Sequence, residues 1–348
     1  MKEIKVLVVD DSAFMRRVLS DMLQRDQRIK VVGAARNGRD CLQKLKQVQP
    51  DVITMDVEMP VMDGLSTLEW IMKETPLPVV MVSSLTKDGA ESTLKAMELG
   101  AVDFIPKPSG AISLDMEKVE AEVIKKVKGA AEARVRTLPL SHPVENPPSV
   151  SFQKGKKKRV VAIGTSTGGP RALQKVLAAL PEQLPAPLLV VQHMPPGFTK
   201  TLADRLDKLS SITVKEGEDE EELKNGVAYI APGGTHMTVV QKGEGLFLEL
   251  NAQAPVNGHR PSVNTLFQSL AAVQGWTVTA VVMTGMGTDG LEGMIKLRSS
   301  CPTYTIAESE QSCVVYGMPK AVVKSGLADE VTDVSNISAA IVHALEKG

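Results

Sequence analysis

Short apolar runs alternate along this chain with longer stretches whose apolar positions recur every three or four residues. In the first half the runs IKVLVV (Ile4–Val9), Val31–Val32, Asp51–Met55, Pro78–Val82 and Val102–Ile105 predict buried strands. The stretches between them predict helices with one apolar face. Phe14, Met15, Val18, Leu19, Met22 and Leu23 share such a face, as do Leu42, Leu45 and Val48, then Leu94, Met97 and Leu99, and finally Val119, Val123, Ile124 and Val127. Ser12 stands where an N-cap is needed, and Pro50 ends the second helix. The second half repeats the alternation. Val160–Ile163, Leu188–Gln192, Val278–Met283 and Thr303–Ile306 predict strands. Helices are predicted from about Arg171 to Leu180, over Gly197–Leu209, from a Ser262 cap to about Gln274, and over Leu291–Arg298 and Ile337–Leu345. Val227–Ile230, Met237–Val240 and Leu246–Leu250, with turns at Pro232-Gly-Gly and Gly243-Glu-Gly, predict a hairpin excursion. Strands alternating with helices argue for parallel sheets covered by helices on both faces, an α/β class in both halves.

Length changes this picture from one sheet to two. At about 150 residues per domain, 348 residues suggest two domains. Residues 129–159 break the periodicity with Pro139, Pro143, Pro147 and Pro148 in a polar run, and read as a linker between domains at 1–128 and 160–348. The linker ends in a basic cluster, Lys154 and Lys156–Arg159, read as solubilising charge at a domain boundary.

Charge and composition exclude more than they specify. Forty Lys and Arg against 41 Asp and Glu leave a formal net charge of -1, so no global field favours nucleic acid or an anionic membrane. Aromatic residues are only 3 %, too few for base-stacking platforms. No apolar run approaches the ~20 residues that span a bilayer. The start, MKEIKVLVVDD, turns acidic where a signal peptide needs a longer apolar core. Cys41, Cys301 and Cys313 are odd in number and lack zinc spacing, which points to reduced thiols in a cytoplasm.

Chemistry collects where predicted strands end. In an open parallel sheet, sites lie beyond the C-terminal ends of the strands. Asp10, Asp11, Asp56, Ser83 and Lys107 all fall at or just past such ends, on four strands. Clustered charges are costly unless something binds them. Three carboxylates suit a hard cation such as Mg²⁺, and a lysine opposite them suits an incoming anion. The stretches VLVVDDSAFMRRVL, VITMDVEMPVMDG, MVSS and DFIPKP resemble the receiver domain of two-component response regulators, over residues 1 to about 128. The resemblance implies a flavodoxin-like (βα)5 fold. It implies Asp56 as the phosphoacceptor, with Asp10 and Asp11 helping it to hold Mg²⁺ and the Val57 carbonyl completing the metal shell. It further implies Ser83 and Lys107 as the groups that sense the phosphoryl, and Phe104 at the place of a rotating aromatic switch.

In the second half, VVAIGTSTGG places Ser166 on a strand-to-helix turn, with its hydroxyl near backbone N–H groups at a helix start. A Gly-rich turn or a phosphate cradle is the plainer alternative. A nucleophilic serine needs a base, and the base an orienting acid. His193 follows a buried strand as Ser166 does, and Asp289 follows a third, in TGMGTDG; Asp329 is a weaker choice of acid. His259, in NGHRPS before a helix, stays possible as a base. His236 precedes its strand, His343 lies in the last helix and His142 in the linker. The order Ser…His…Asp differs from that of α/β-hydrolases, and neither Gly-rich loop carries a nucleotide fingerprint.

IGTSTGGP, VVQHMPPGFT, YIAPGGTHM, GHRPSVNTLF and MTGMGTDG are similar to the catalytic domain of chemotaxis protein-glutamate methylesterases. This resemblance implies a doubly wound, mostly parallel α/β esterase domain. It implies a triad of Ser166, His193 and Asp289, and an oxyanion site at backbone N–H groups near Thr167 and Met286. It implies methanol release from glutamate methyl esters, deamidation of glutamines, and no cofactor for the ester reaction. The implied partners are methyl-accepting chemoreceptors as substrate and a chemotaxis histidine kinase as phosphodonor, with neither nucleic acid nor membrane insertion. The domain order implies that phosphorylation of Asp56 controls the esterase. A receiver followed by a DNA-binding effector, and a general serine esterase or peptidase, are the alternatives; the first would need a basic recognition helix, and none is seen in the second half.

Overall fold

Two parallel sheets follow from the alternation of apolar runs and amphipathic helices. The computed structural model describes residues 3–107, 116–135 and 158–347. The chain divides into two compact units, Met1–Leu140 and Ser141–Gly348. Of the expected linker, residues 136–157 lie outside the described residues, with His142, the four prolines and Lys154–Lys157.

The first unit runs β1 (Ile4–Val9), α1 (Ala13–Leu23), β2 (Ile29–Ala35), α2 (Gly38–Val48), β3 (Val52–Asp56), α3 (Gly64–Glu74), β4 (Val79–Ser83), α4 (Lys87–Leu99), β5 (Asp103–Pro106) and α5 (Met116–Ala131). The strands are parallel in the order β2-β1-β3-β4-β5. β3 and β4 are buried at every residue, as strands covered on both faces must be. Ser12 caps α1 by accepting the Met15 N–H. β2 extends through Gly33 to Ala35, past the Val31–Val32 pair that announced it.

The second unit runs β6 (Lys158–Thr165), α6 (Gly169–Ala178), β7 (Leu188–Gln192), α7 (Phe198–Leu209), β8 (Thr213–Glu216), β9 (Val227–Ile230), β10 (His236–Lys242), β11 (Gly245–Asn251), α8 (Val263–Leu270), β12 (Trp276–Val282), α9 (Leu291–Ser300), β13 (Thr303–Glu308), α10 (Met318–Lys324), β14 (Glu330–Thr332) and α11 (Ile337–Lys347). Seven strands lie parallel in the order β14-β13-β12-β6-β7-β9-β8, and β10 with β11 forms a separate antiparallel hairpin. This is the doubly wound, mostly parallel arrangement expected.

The structure differs from the sequence reading at β9, at the strands β8 and β14, and at α10, which no predicted helix covers. β9 is not part of the hairpin; it lies parallel between β7 and β8, where the unbroken apolar run VAYI can be buried. β8 and β14 went unanticipated because they are edge strands with mixed polarity, TVKE and EVT, and carry no apolar run.

Both sheets place a first strand between its successor in sequence and a strand that winds the other way. β1 sits between β2 and β3, and β6 between β7 and β12. These are the points at which an open α/β sheet leaves a crevice outside its strand ends. Among the described residues, no helix is long and apolar enough to cross a membrane.

Candidate active site

The crevice of the second unit gathers the ends of three adjacent strands. Ser166 follows β6, His193 follows β7 on one side, and Asp289 lies in the loop after β12 on the other. The Ser166 loop is held from beneath. Ser166 N–H donates to Thr284 O at 3.0 Å, the Thr165 hydroxyl donates to the same oxygen at 3.0 Å, and Gln192 Nε2 donates to Ser166 O at 3.0 Å. Thr284 is in turn fixed by its own N–H donating to Glu308 Oε2 at 2.7 Å. Glu308 is 1 % exposed, and burial pushes its carboxyl above the usual range.

The acid and the base meet directly. His193 Nε2 lies 2.8 Å from Asp289 Oδ2, with the two side chains 7 % and 1 % exposed. Asp289 accepts more than this one bond. Val263 N–H also donates to Oδ2 at 2.8 Å, and the Ser262 hydroxyl, Asn264 N–H and Gly290 N–H donate to Oδ1 at 2.9, 3.0 and 3.1 Å. Two of these donors are the free N–H groups that open α8, where a helix dipole favours an anion. Burial alone would raise the carboxyl, but the bond to His193 and the backbone donors outweigh it and hold Asp289 at about 2. An ionised carboxylate can only accept, so Nε2 carries the imidazole proton. Nδ1 is then a lone pair, buried and without a hydrogen-bond partner among the described residues. The site thus holds an imidazole whose second nitrogen is without a partner among the described residues, and, on the adjacent strand end, a serine whose neighbours fix its backbone.

The sequence-predicted residues fall as follows. Asp329, the alternative acid, lies elsewhere: it pairs with Arg298 and accepts Thr305 N–H at 2.7 Å. His236 is buried with Nε2 3.1 Å from Ala254 O, and His343 is exposed on α11. His259, left open as a base, stands at the site but in another geometry: its ring stacks on that of His193 with centroids 3.8 Å apart. Thr167 and Met286 both lie on loops against Ser166. Thr167 O accepts the Thr284 hydroxyl at 2.9 Å, and Met286 N–H has no acceptor among the described residues.

Ser262 and Asn264 were not anticipated as site residues. Ser262 read as a helix cap, and it does precede α8, but its hydroxyl goes to Asp289 instead of the helix. Asn264 Oδ1 accepts Gly290 N–H at 2.9 Å and Gly293 N–H at 2.8 Å. Asp289 therefore caps α8 while Asn264, on α8, caps α9. The only sequence signal was their place in the GHRPSVN stretch.

Gly285 is where the β12 loop passes Ser166 most closely. A Cβ there would meet the Met318 sulfur, and would lie 2.8 Å from Ser166 Cβ and 3.1 Å from Ser166 N. Met318 is fully buried, so its thioether has no open space to swing into, and Ser166 must shift as well. Gly285→Ala is expected to cost about 1–3 kcal/mol of stability and to lose about 10- to 100-fold in kcat, since small misplacements of reacting groups are costly. Steady-state rates beside a thermal melt check this.

In the first unit, Asp10, Asp11 and Asp56 bring carboxylate oxygens within 4.8 Å of one another at the β1 and β3 ends. Asp56 is 1 % exposed, and Lys107 Nζ donates to its Oδ2 at 2.7 Å. Ser83 sits on the neighbouring strand end, but its hydroxyl donates to Gly89 O at 3.1 Å, not to Asp56. The Val57 carbonyl accepts Gly64 N–H at 2.9 Å, and Phe104 is buried. The donor set fits a hard divalent cation: all oxygen, with Asp10 Oδ2 buried and lacking any hydrogen-bond partner among the described residues. Burial, then the Asp56 charge, push Asp10 up to about 6.

A raised carboxyl binds its proton more tightly in the folded state. Its contribution to stability is therefore largest below the unfolded value near 3.8 and is lost as pH rises through about 6. Above that pH the ionised Asp10 opposes folding unless a cation offsets it. Asp10→Asn keeps the oxygen that accepts Ser12 N–H at 2.9 Å. It should raise the metal-free melting temperature at pH 7.5 by about 2–6 °C and abolish the further rise that Mg²⁺ gives the unmutated chain. Calorimetry with EDTA or Mg²⁺ reads both.

Residues 161–341 match the family described as CheB methylesterase, and residues 6–117 match the response regulator receiver domain. The chain is 55 % identical over 348 residues to the protein-glutamate methylesterase/protein-glutamine glutaminase of Halalkalibacterium halodurans, covering 99 % of each. It is 48 % identical over 353 residues to the protein of the same name in Bacillus subtilis, again covering 99 % of each. Among solved structures, the CheB methylesterase catalytic domain of Thermotoga maritima is similar with a TM-score of 0.52 and 43 % identity, covering 54 % of this chain and 99 % of that one. With a response regulator receiver domain ahead of its catalytic domain, this chain belongs to the CheB methylesterase family.

Proposed function

We propose that this chain hydrolyses glutamate γ-methyl esters on chemoreceptors, releasing methanol, deamidates receptor glutamines by the same steps, and is activated by phosphorylation of Asp56. The observation that carries the reading is the His193–Asp289 pair at 2.8 Å, which leaves the second imidazole nitrogen without a partner among the described residues, on the strand end next to that of Ser166. In this reading residues 1–128 accept the phosphoryl group, 129–159 link, and 160–348 catalyse.

Ser166 Oγ attacks the γ-carbonyl carbon while His193 Nδ1 takes its proton. The carbonyl oxygen becomes an oxyanion held by backbone N–H groups near Thr167 and Met286, the latter available for that bond. His193 then gives its proton to the departing methoxy oxygen, and methanol leaves an acyl-enzyme. Water, deprotonated by His193, cleaves the acyl bond and yields glutamate and free Ser166. With glutamine the leaving group is ammonia. Asp289 keeps the proton on Nε2 throughout and stabilises the imidazolium.

In the first unit Asp10, Asp11 and Asp56 would hold Mg²⁺, which when bound neutralises charge on the incoming phosphoryl group. An Asp56 carboxylate oxygen attacks phosphorus as the phosphorus–nitrogen bond to the donor's histidine breaks and that imidazole leaves, and Lys107, already 2.7 Å from Asp56, stays as counter-charge. A chemotaxis histidine kinase would be the donor. Three buried cysteines, none of them in a disulfide among the described residues, support a reducing cytoplasm as the place of work. The alternative, a DNA-binding effector, finds no support, since the methylesterase match occupies the effector half. The test is methanol release from methylated receptor membranes by the unmutated chain and by Ser166→Ala, each with and without a small phosphodonor. Release that depends on Ser166 and rises with the phosphodonor supports the reading.

A further inference from the structure

The stacked imidazole at the site has no part in the steps above. His259 ends a tight turn. His259 N–H donates to Val256 O at 2.9 Å and Val256 N–H donates to His259 O at 3.0 Å, with Asn257 at φ 52° and Gly258 at φ 79°. Two successive left-handed residues are the signature of a type I′ turn, and asparagine followed by glycine is the pair that adopts it without strain. The following residues are also tied down. Arg260 Nη1 donates to Ala252 O and Gln253 O, Gly234 N–H donates to Arg260 O, and Ser262 reaches Asp289. The His259 ring is therefore presented by an anchored segment, and it lies over His193 with an interplanar angle of 7°.

A face-to-face stack forbids one role. The N–H and lone pair of an imidazole lie in the ring plane, so two parallel rings cannot pass a proton directly between them. It favours another. The face of an aromatic ring attracts a cation within about 6 Å. His193 is neutral before the serine attacks and is an imidazolium as the tetrahedral intermediate forms. The face of the His259 ring 3.8 Å away thus holds His193 more strongly in the transition state than in the ground state. An interaction of that kind raises kcat, not affinity. The stack also fixes the plane in which Nε2 meets Asp289 and Nδ1 stays open.

We propose that His259 is a positioning residue for His193, an aromatic plate that backs the base and stabilises it when it is protonated. The proposal rests on the triad reading, with His193 as base, and extends it. It predicts that the aromatic face matters and the ring nitrogens do not.

The test compares the unmutated full chain with Ser166→Ala, His259→Phe, His259→Leu and His259→Ala. Two readouts are used: methanol release from methylated receptor membranes, and the rate at which a fluorophosphonate probe labels Ser166, which needs the triad but no receptor. His259→Phe should retain both rates within about 3-fold. His259→Leu and His259→Ala should each lose about 10-fold in kcat and in labelling, with KM for receptor within twofold. Leucine fills similar space without a π face, so the Phe–Leu difference separates stacking from packing. Equal rates for the Phe and Leu variants overturn the proposal. So does a Phe variant as inactive as Ser166→Ala, which would make His259 itself a proton carrier. If the unmutated chain labels but releases no methanol, the substrate reading fails, and the Phe–Leu labelling difference still decides the role of His259.

Discussion

Replacing Ser166 with alanine is expected to lower kcat for methyl ester hydrolysis by about 10⁴- to 10⁶-fold, with the melting temperature unchanged. The size follows from what is removed and what stays. Alanine keeps the Cβ and the backbone, so Ser166 N–H can still donate to Thr284 O and Gln192 can still hold the carbonyl. No core volume is lost, because the side chain is only partly buried at the strand end. The oxyanion donors and His193 remain, and they sustain only the slow direct attack of water. Because the loss lies in chemistry, KM for receptor should change little. Methanol release from methylated receptor membranes measures it; an undiminished rate would sink the assignment of Ser166 as nucleophile. The phosphodonor adds an internal control, since a variant that lacks the nucleophile has no rate for phosphorylation to raise.

That prediction was within reach of the sequence because strand ends are legible in it. Leu188–Gln192 is an apolar run that stops at His193, and Val278–Met283 one that leads into the loop bearing Asp289. Both strands fall where the periodicity puts them. What periodicity cannot supply is strand order. It is the placement of β6 between β7 and β12 that makes three distant loops neighbours, and of β1 beside β3 that does the same for Asp10 and Asp56. That order is set by long-range pairing, for which an apolar run carries no address. The long motifs shared with a known family stood in for it. Side-chain hydrogen bonds were less legible still. Ser262 looked like a local cap, and only the fold brings Asp289 into reach of its hydroxyl. Asn264 sits on an amphipathic helix as an ordinary polar residue until α9 is placed against it. The loop position of His259 is compatible with a base, yet its ring plane, which decides between base and plate, depends on a turn and four anchors.

Asp289→Asn carries the second largest expected effect, and the direction in which the amide turns decides its size. The carboxylate accepts three donors on Oδ1, from Ser262, Asn264 and Gly290, and two on Oδ2, from His193 and Val263. An asparagine has one acceptor oxygen and one NH₂. If the oxygen takes the His193 side, the NH₂ faces two backbone N–H groups that cannot turn away. If the oxygen takes the other side, three donors are satisfied and only Val263 N–H is opposed. The second arrangement is favoured, and it points an amide N–H at His193 Nε2. The ring must then accept at Nε2 and carry its proton on Nδ1, the nitrogen that should receive the serine proton. A base in the wrong tautomer should cost about 10⁴-fold in kcat, nearly as much as removing the serine itself.

The same substitution also has a pH signature in stability. Asp289 is held at about 2, below its unfolded value near 3.8. Its contribution is therefore fully present above about pH 4 and is lost as pH falls through about 2. The melting temperature of the unmutated chain should exceed that of Asp289→Asn at neutral pH, and the gap should narrow between pH 4 and pH 2. A gap that stays constant across that range would mean that Asp289 is not held as a buried anion by its five donors, and the tautomer argument built on that charge would fail with it.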